Sequence, residues 1–144
     1  MWKEYISKYI VDAKFASPAN IDDIKRVEND LNVKFTAELN SFLLETDGSK
    51  DRFNSDLIWS LERIRNDNLY FRGSEDFKDL YMPFDHLLFF ADSGTGDQFA
   101  YAIINGKIIR NDIFVWDHET DTRKSVASSM KQYIELWLTD KIQY

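Results

Sequence analysis

Apolar residues recur at helical spacing at both ends of the chain and give way to short apolar runs between turn residues in its second half. Trp2, Tyr5, Ile6, Tyr9 and Ile10 fall on one helix face, with Lys3, Glu4, Lys8 and Asp12 elsewhere. Ser17-Pro18-Ala19-Asn20 interrupts that pattern, and Asn20 is a suitable cap for a second helix whose first turn holds Asp22 and Asp23. Ile21, Ile24, Val27 and Leu31 form its apolar stripe. Thr36 caps a third helix that buries Leu39, Phe42 and Leu43 and stops at Gly48, where a left-handed residue is expected. Leu57-Ile58-Trp59 reads as a short strand, and Ser60 as the cap of a helical turn through Leu61 and Ile64. Residues 66 to 81 are polar with scattered aromatics, which predicts a long surface loop or a partial helix.

The second half predicts strands. Leu87 to Ala91 is an apolar run of strand length, and Asn105-Gly106 between Gln98–Ile104 and Lys107–Arg110 is a strong hairpin signal, since both turn residues tolerate positive φ. Ile113 to Trp116 gives a further strand, with Arg123 to Val126 returning beside it across Asp117-His118-Glu119-Thr120-Asp121. Met130, Tyr133, Ile134, Trp137 and Leu138 share one face of a closing helix. Helices, then an antiparallel meander, then a helix define an α+β fold in which N-terminal helices and a C-terminal helix pack on one face of the sheet. Residues 1–144 read as one domain, without internal repeats.

Composition changes this picture mainly through charge. Eighteen Lys and Arg against 25 Asp and Glu leave a net charge of −7. A field of that sign repels nucleic-acid phosphates and anionic membrane surfaces, so neither is an expected partner, and it attracts basic proteins. With no cysteine, disulfide frameworks, thiolate zinc sites and cysteine nucleophiles are excluded. The N-terminus carries charges where a secretory signal would be apolar, and no apolar run approaches the ~20 residues of a membrane span, so the expected location is the cytoplasm.

Candidate chemistry is sparse. Asp92-Ser93-Gly94-Thr95-Gly96-Asp97 has two glycines and two carboxylates between strands. It lacks the third glycine and following helix of a dinucleotide site and the Gly-Lys-Ser/Thr of a P-loop, and its aspartates oppose phosphate. It also lacks the ligand series of an EF-hand and the flanking glycines of a nucleophile elbow. A tight structural turn or part of a binding surface remains. Asp117-His118-Glu119 would place its histidine opposite both carboxylates on a strand, and as a turn it is a polar hairpin tip or a partner contact. His86 stands alone at a strand entrance, so no catalytic set follows from spacing. Trp59, Phe99, Tyr101, Phe114, Trp116 and Trp137 fall on apolar faces and are assigned to the core. Trp2, Tyr5, Tyr9, Tyr70, Phe71, Phe77 and Tyr81 lie in terminal or irregular segments, where exposed rings would suit a partner or a second copy forming a homodimer.

The order of motifs resembles the SUKH superfamily. Its opening is matched by Ile24-x-x-Val27-Glu28-x-x-Leu31-x-Val33-x-Phe35, then Glu38-Leu39-x-x-Phe42-Leu43 and Asp47-Gly48. Ile58-Trp59-Ser60-Leu61-Glu62-x-Ile64 is similar to its short strand and helix, and Phe89-Phe90-Ala91-Asp92-Ser93-Gly94-x-Gly96-Asp97-x-Phe99 to its glycine–aspartate hairpin. Val115-Trp116-Asp117-His118-Glu119 and Ala127-Ser128-Ser129-x-x-x-Tyr133-Ile134 resemble its closing strand and helix. The likeness runs from about residue 20 to 138. Thr36 stands where the family usually has proline, and residues 66 to 81 follow no family pattern.

The resemblance implies an immunity protein that neutralises a polymorphic toxin by direct capture, without catalytic residues or a cofactor. The implied toxin is a basic nuclease with an LXG-type delivery domain. Eukaryotic members imply the alternative of a regulatory scaffold for host signalling partners. The resemblance supplies no contact positions. If the interface is acidic, Asp92, Asp97, Asp117 and Glu119 are the expected contacts, because both hairpin tips could lie at one end of the sheet.

Overall fold

The computed structural model describes residues 1–144. Six helices and six strands follow in the order α1 (Trp2–Ser7), α2 (Ile21–Leu31), α3 (Ala37–Glu45), β1 (Ser49–Lys50), β2 (Asp56–Ile58), α4 (Leu61–Gly73), α5 (Glu75–Lys78), β3 (Leu87–Asp92), β4 (Gln98–Ala102), β5 (Ile113–Trp116), β6 (Arg123–Ala127) and α6 (Met130–Leu138). The helix starts obey their caps. Asn20 Oδ1 accepts the Asp22 N–H at 2.7 Å, Thr36 Oγ1 accepts that of Leu39 at 3.1 Å, and Ser60 Oγ accepts that of Arg63 at 3.2 Å, each satisfying a donor the helix leaves free. No helix is long and apolar enough to cross a membrane.

β3 to β6 form a four-stranded antiparallel meander in chain order, and β1 pairs with β2 in a separate ribbon. In the main sheet, Phe99 pairs with Val115 and Tyr101 with Ile113, so these four side chains share a face. There Tyr133 of α6 meets Phe99 at 4.7 Å and Phe90 at 5.7 Å. The opposite face presents Phe89 and Trp116 to Phe71 of α4, at 5.1 and 5.5 Å. Helices therefore cover both faces of the sheet, one layer more than the pattern implied. A single cluster of buried apolar side chains runs through all layers.

The structure also departs from the pattern at α1, Gly48 and Asn105-Gly106, and at residues 66 to 81 it takes the partial-helix alternative. α1 ends at Ser7, although Ile10 still reaches the core from the turns beyond it. Gly48 has φ +89° but does not close α3, whose cap is Thr46; a side chain at Gly48 would meet the Ser60 nitrogen at 2.9 Å, so glycine is needed there for close backbone approach. Residues 66 to 81 are mostly helical, with α4 running to Gly73 before the short α5. Asn105-Gly106 does turn with positive φ at both residues, but only Ile104 and Lys107 bridge across it, and the ladder partner of β4 is β5.

Candidate functional site

The two acidic turns lie at one end of the sheet. Register runs from Asp92 to Gln98, Gln98 to Trp116 and Trp116 to Arg123, so the β3–β4 and β5–β6 turns leave the sheet side by side. In the first, Gly94 and Gly96 have φ of +81° and +110°, conformations that L side chains rarely adopt. A side chain at Gly96 would also stand 2.8 Å from the His118 ring, so the glycine admits that histidine between the turns.

Asp97 joins the two turns. It is only 8% exposed, and one carboxylate oxygen accepts the His118 N–H at 3.1 Å and lies 2.6 Å from His118 Nδ1. The other oxygen accepts the Tyr144 hydroxyl. Burial acts to raise the Asp97 carboxyl, but the hydrogen bonds from Tyr144 and His118 outweigh it and hold the group below its ordinary value. His118 shifts upward, first through its hydrogen bond to Asp97 and then through the charges of Asp97, Glu119 and Asp117.

The other expected contacts differ in availability. Asp92 accepts the Trp59 indole N–H at 2.7 Å and the Gly94 N–H at 3.1 Å, and lies 3.4 Å from the Arg63 guanidinium. Asp117 accepts the Glu119 N–H at 2.9 Å, which shapes the second turn, and otherwise faces solvent in part. Glu119 is exposed, and its carboxylate takes no hydrogen bond within the chain. All four acids thus sit at one sheet end, with Asp117 and Glu119 offering the free oxygens.

Asp97, Asp117 and His118 bring ligand-type atoms within 4.8 Å of one another. A cation there would have to displace the Tyr144 and His118 hydrogens from Asp97. The other histidine, His86, lies 2.7 Å from Arg123 through Nε2; a guanidinium can only donate, so this nitrogen is an acceptor and the ring is neutral. Burial and then the Arg123 charge push its pKa down. A groove of about 670 Å³ lies beyond the opposite end of the sheet between α2 and the 106–109 loop, lined in part by Lys25, Lys34 and Lys107. It contains none of the four acids.

Sequence reasoning missed Asp121, Arg123 and Tyr144, and expected Tyr81 to be exposed where its hydroxyl instead donates to the His118 carbonyl. Arg123 donates to the carbonyls of Met82 and Pro83 and to Asp121, and Trp116 donates its indole N–H to Asp121 at 2.7 Å. These contacts span up to 47 residues of sequence, beyond any local pattern. Among the aromatics expected to be exposed, Trp2 is 3% exposed and packs on Phe42, whereas Tyr70 is 59% exposed.

A model of the SUKH_6 family, described as SMI1-KNR4 cell-wall, matches residues 21–134. No curated protein matches the chain.

Proposed function

Because the chain belongs to the SMI1-KNR4 family of SUKH domains, a family generally associated with immunity proteins, we propose that it binds and neutralises a cognate toxin by direct capture. The observation that carries this reading is the family match over most of the chain; the two acidic turns at one sheet end, in a chain of net charge −7, support it. The proposed toxin is a basic nuclease with an LXG-type delivery domain, met in the producing cell's cytoplasm. The motif order is similar to that of the Bacillus protein YobK, paired with a toxin carrying such a domain. A nuclease must hold phosphate, so its active-site surface is cationic, and an acidic inhibitor gains both steering and complementarity.

Asp92, Asp97, Asp117 and Glu119 form the proposed contact set, with unequal roles. Asp117 and Glu119 meet the toxin's cations directly, while Asp92 and Asp97 chiefly hold the turns in shape. Such a complex blocks the active site or access to it, and no bond in either protein changes. Co-expression with the toxin encoded beside this gene should rescue growth, and the purified pair should co-elute. Failure of both would end the reading.

A further inference from the structure

Residues 69 to 85, which overlap the 66–81 stretch that resembles no family motif, form a wall beside the acidic sheet end. Tyr81 turns inward, its ring 5.0 Å from Trp116 and 5.5 Å from Phe77, and its hydroxyl donates to the His118 carbonyl at 3.0 Å. The Met82 N–H donates to Asp121 at 2.9 Å, and Arg123, its side chain 8% exposed, donates to the Met82 and Pro83 carbonyls at 2.9 and 2.8 Å. These bonds fasten residues 81–83 to the turn that carries Asp117 and Glu119.

With Tyr81 held inward, its neighbours project outward: Leu80 is 68% exposed and Met82 55%. One exposed leucine needs no explanation. Here Met82 forms part of the wall of a socket of about 250 Å³, together with Phe77, Tyr81 and Pro83, and exposed Leu80 lies two residues before it in the chain. Around them, residues 72 to 85 carry Glu75, Asp76, Asp79 and Asp85 against Arg72 and Lys78; Arg72 is turned to the Leu31 and Leu87 carbonyls and Lys78 is held by Glu75 at 2.7 Å, so the rim stays net acidic. An apolar centre with a charged rim is the layout of a protein interface, and the rim's sign selects the partner. A second copy of this chain would bring the same carboxylates against these, so like charge disfavours it.

We infer that Leu80 and Met82 are the apolar anchors of the partner surface, and that their occupant is a cationic protein presenting an apolar side chain to the socket amid lysines or arginines. This rests on the toxin-binding reading above. It shifts the centre of the interface from the hairpin tips to the ridge beside them, where desolvated apolar contacts concentrate binding energy and the acidic turns chiefly accelerate encounter.

The test measures binding of the full chain to the toxin domain encoded by the adjacent gene. The double variant Leu80→Ser/Met82→Ser should lose about tenfold or more in affinity, mainly through faster dissociation, with Tm unchanged. Wild-type and variant Kd values that coincide overturn the anchor assignment and leave toxin capture standing; a wild type that does not bind removes both. Should the variant's Tm fall, hydrogen exchange on the wild-type complex decides, with protection of residues 79–82 supporting the anchors and unchanged exchange rejecting them. Sedimentation showing a dimer of the chain alone that the double variant dissolves would overturn the cationic occupant.

Discussion

Two polar regions border the main sheet, one along β3 and one at the β5–β6 turn, and they send their hydrogen bonds in opposite directions. Along its outer edge, buried Asn68 donates to the Phe89 carbonyl at 2.8 Å and accepts the Phe89 N–H at 2.9 Å. Arg72 donates to the Leu87 carbonyl at 3.1 Å, and the Trp59 N–H donates to that of Phe90 at 2.9 Å. The side chains and backbone of neighbouring segments thus stand in for a missing fifth strand, and the edge is closed to any partner. At the end of the same sheet, the Glu119 carboxylate has no internal bond and the Asp117 carboxylate makes a single local one. Both regions are polar and aligned with the sheet. Only the second leaves charge available, so direction of bonding, more than polarity, separates a structural cluster from a candidate site.

The most severe way to break the edge is Asn68→Ala. It strips both partners from the Phe89 backbone inside the core, and water cannot readily replace them. The expected loss is about 2–4 kcal/mol in urea unfolding, since each unsatisfied buried polar group costs roughly 1–3 kcal/mol. A loss below about 1 kcal/mol would mean that the edge is hydrated.

At the sheet end the largest effect should come from Gly96→Ala, at about 2 kcal/mol, because φ is +110° and the added methyl displaces the His118 ring from Asp97. Gly94→Ala is the control, with φ +81° and nothing within 4 Å of the new atom, and should cost about 1 kcal/mol. Equal thermal shifts for the two would show that the His118 contact contributes nothing.

What could be read in advance follows from the range of each interaction. Asn20, Thr36 and Ser60 cap helices through bonds two or three residues long, and the strands at Leu87, Gln98, Ile113 and Arg123 follow from local alternation and turn residues. Residues 66 to 73 hid their helix because their fully buried side chain is a polar one, Asn68, whose role exists only beside β3. The Asn105-Gly106 turn was visible, but pairing of β4 with β5 overrode extension of its second arm. Likewise the acidic turns were legible as turns, and their meeting through Asp97 and His118 was not, because it depends on the register of three strands.

The Asp97–His118 contact also gives the site end a pH dependence that the β3 edge lacks. His118 titrates above its ordinary 6.5 in the folded chain, so its contribution is fully present below pH 6.5 and is lost as pH rises through the elevated value. Asp97 titrates below 3.8, so its share is present above that pH and is lost only on strong acidification. The stability gap between wild type and His118→Gln should therefore be larger at pH 6 than at pH 9 in parallel urea titrations. A gap that grows with pH would contradict the pairing.

The smallest effect on stability is expected where the carboxylates are least tied by internal bonds. Asp117→Asn/Glu119→Gln removes two partly or fully exposed carboxylates and keeps the Asx-type bond to the Glu119 backbone position, since an amide oxygen can still accept that N–H. Unfolding free energy should change by no more than about 0.5 kcal/mol, as for surface substitutions elsewhere. Association with a basic toxin should nevertheless slow several-fold at low salt, and the difference should shrink as added salt shortens the screening length to a few ångströms. If the double variant instead unfolds easily and associates at the wild-type rate, these carboxylates belong with the structural edge, and the partner's cations must be met elsewhere on the molecule.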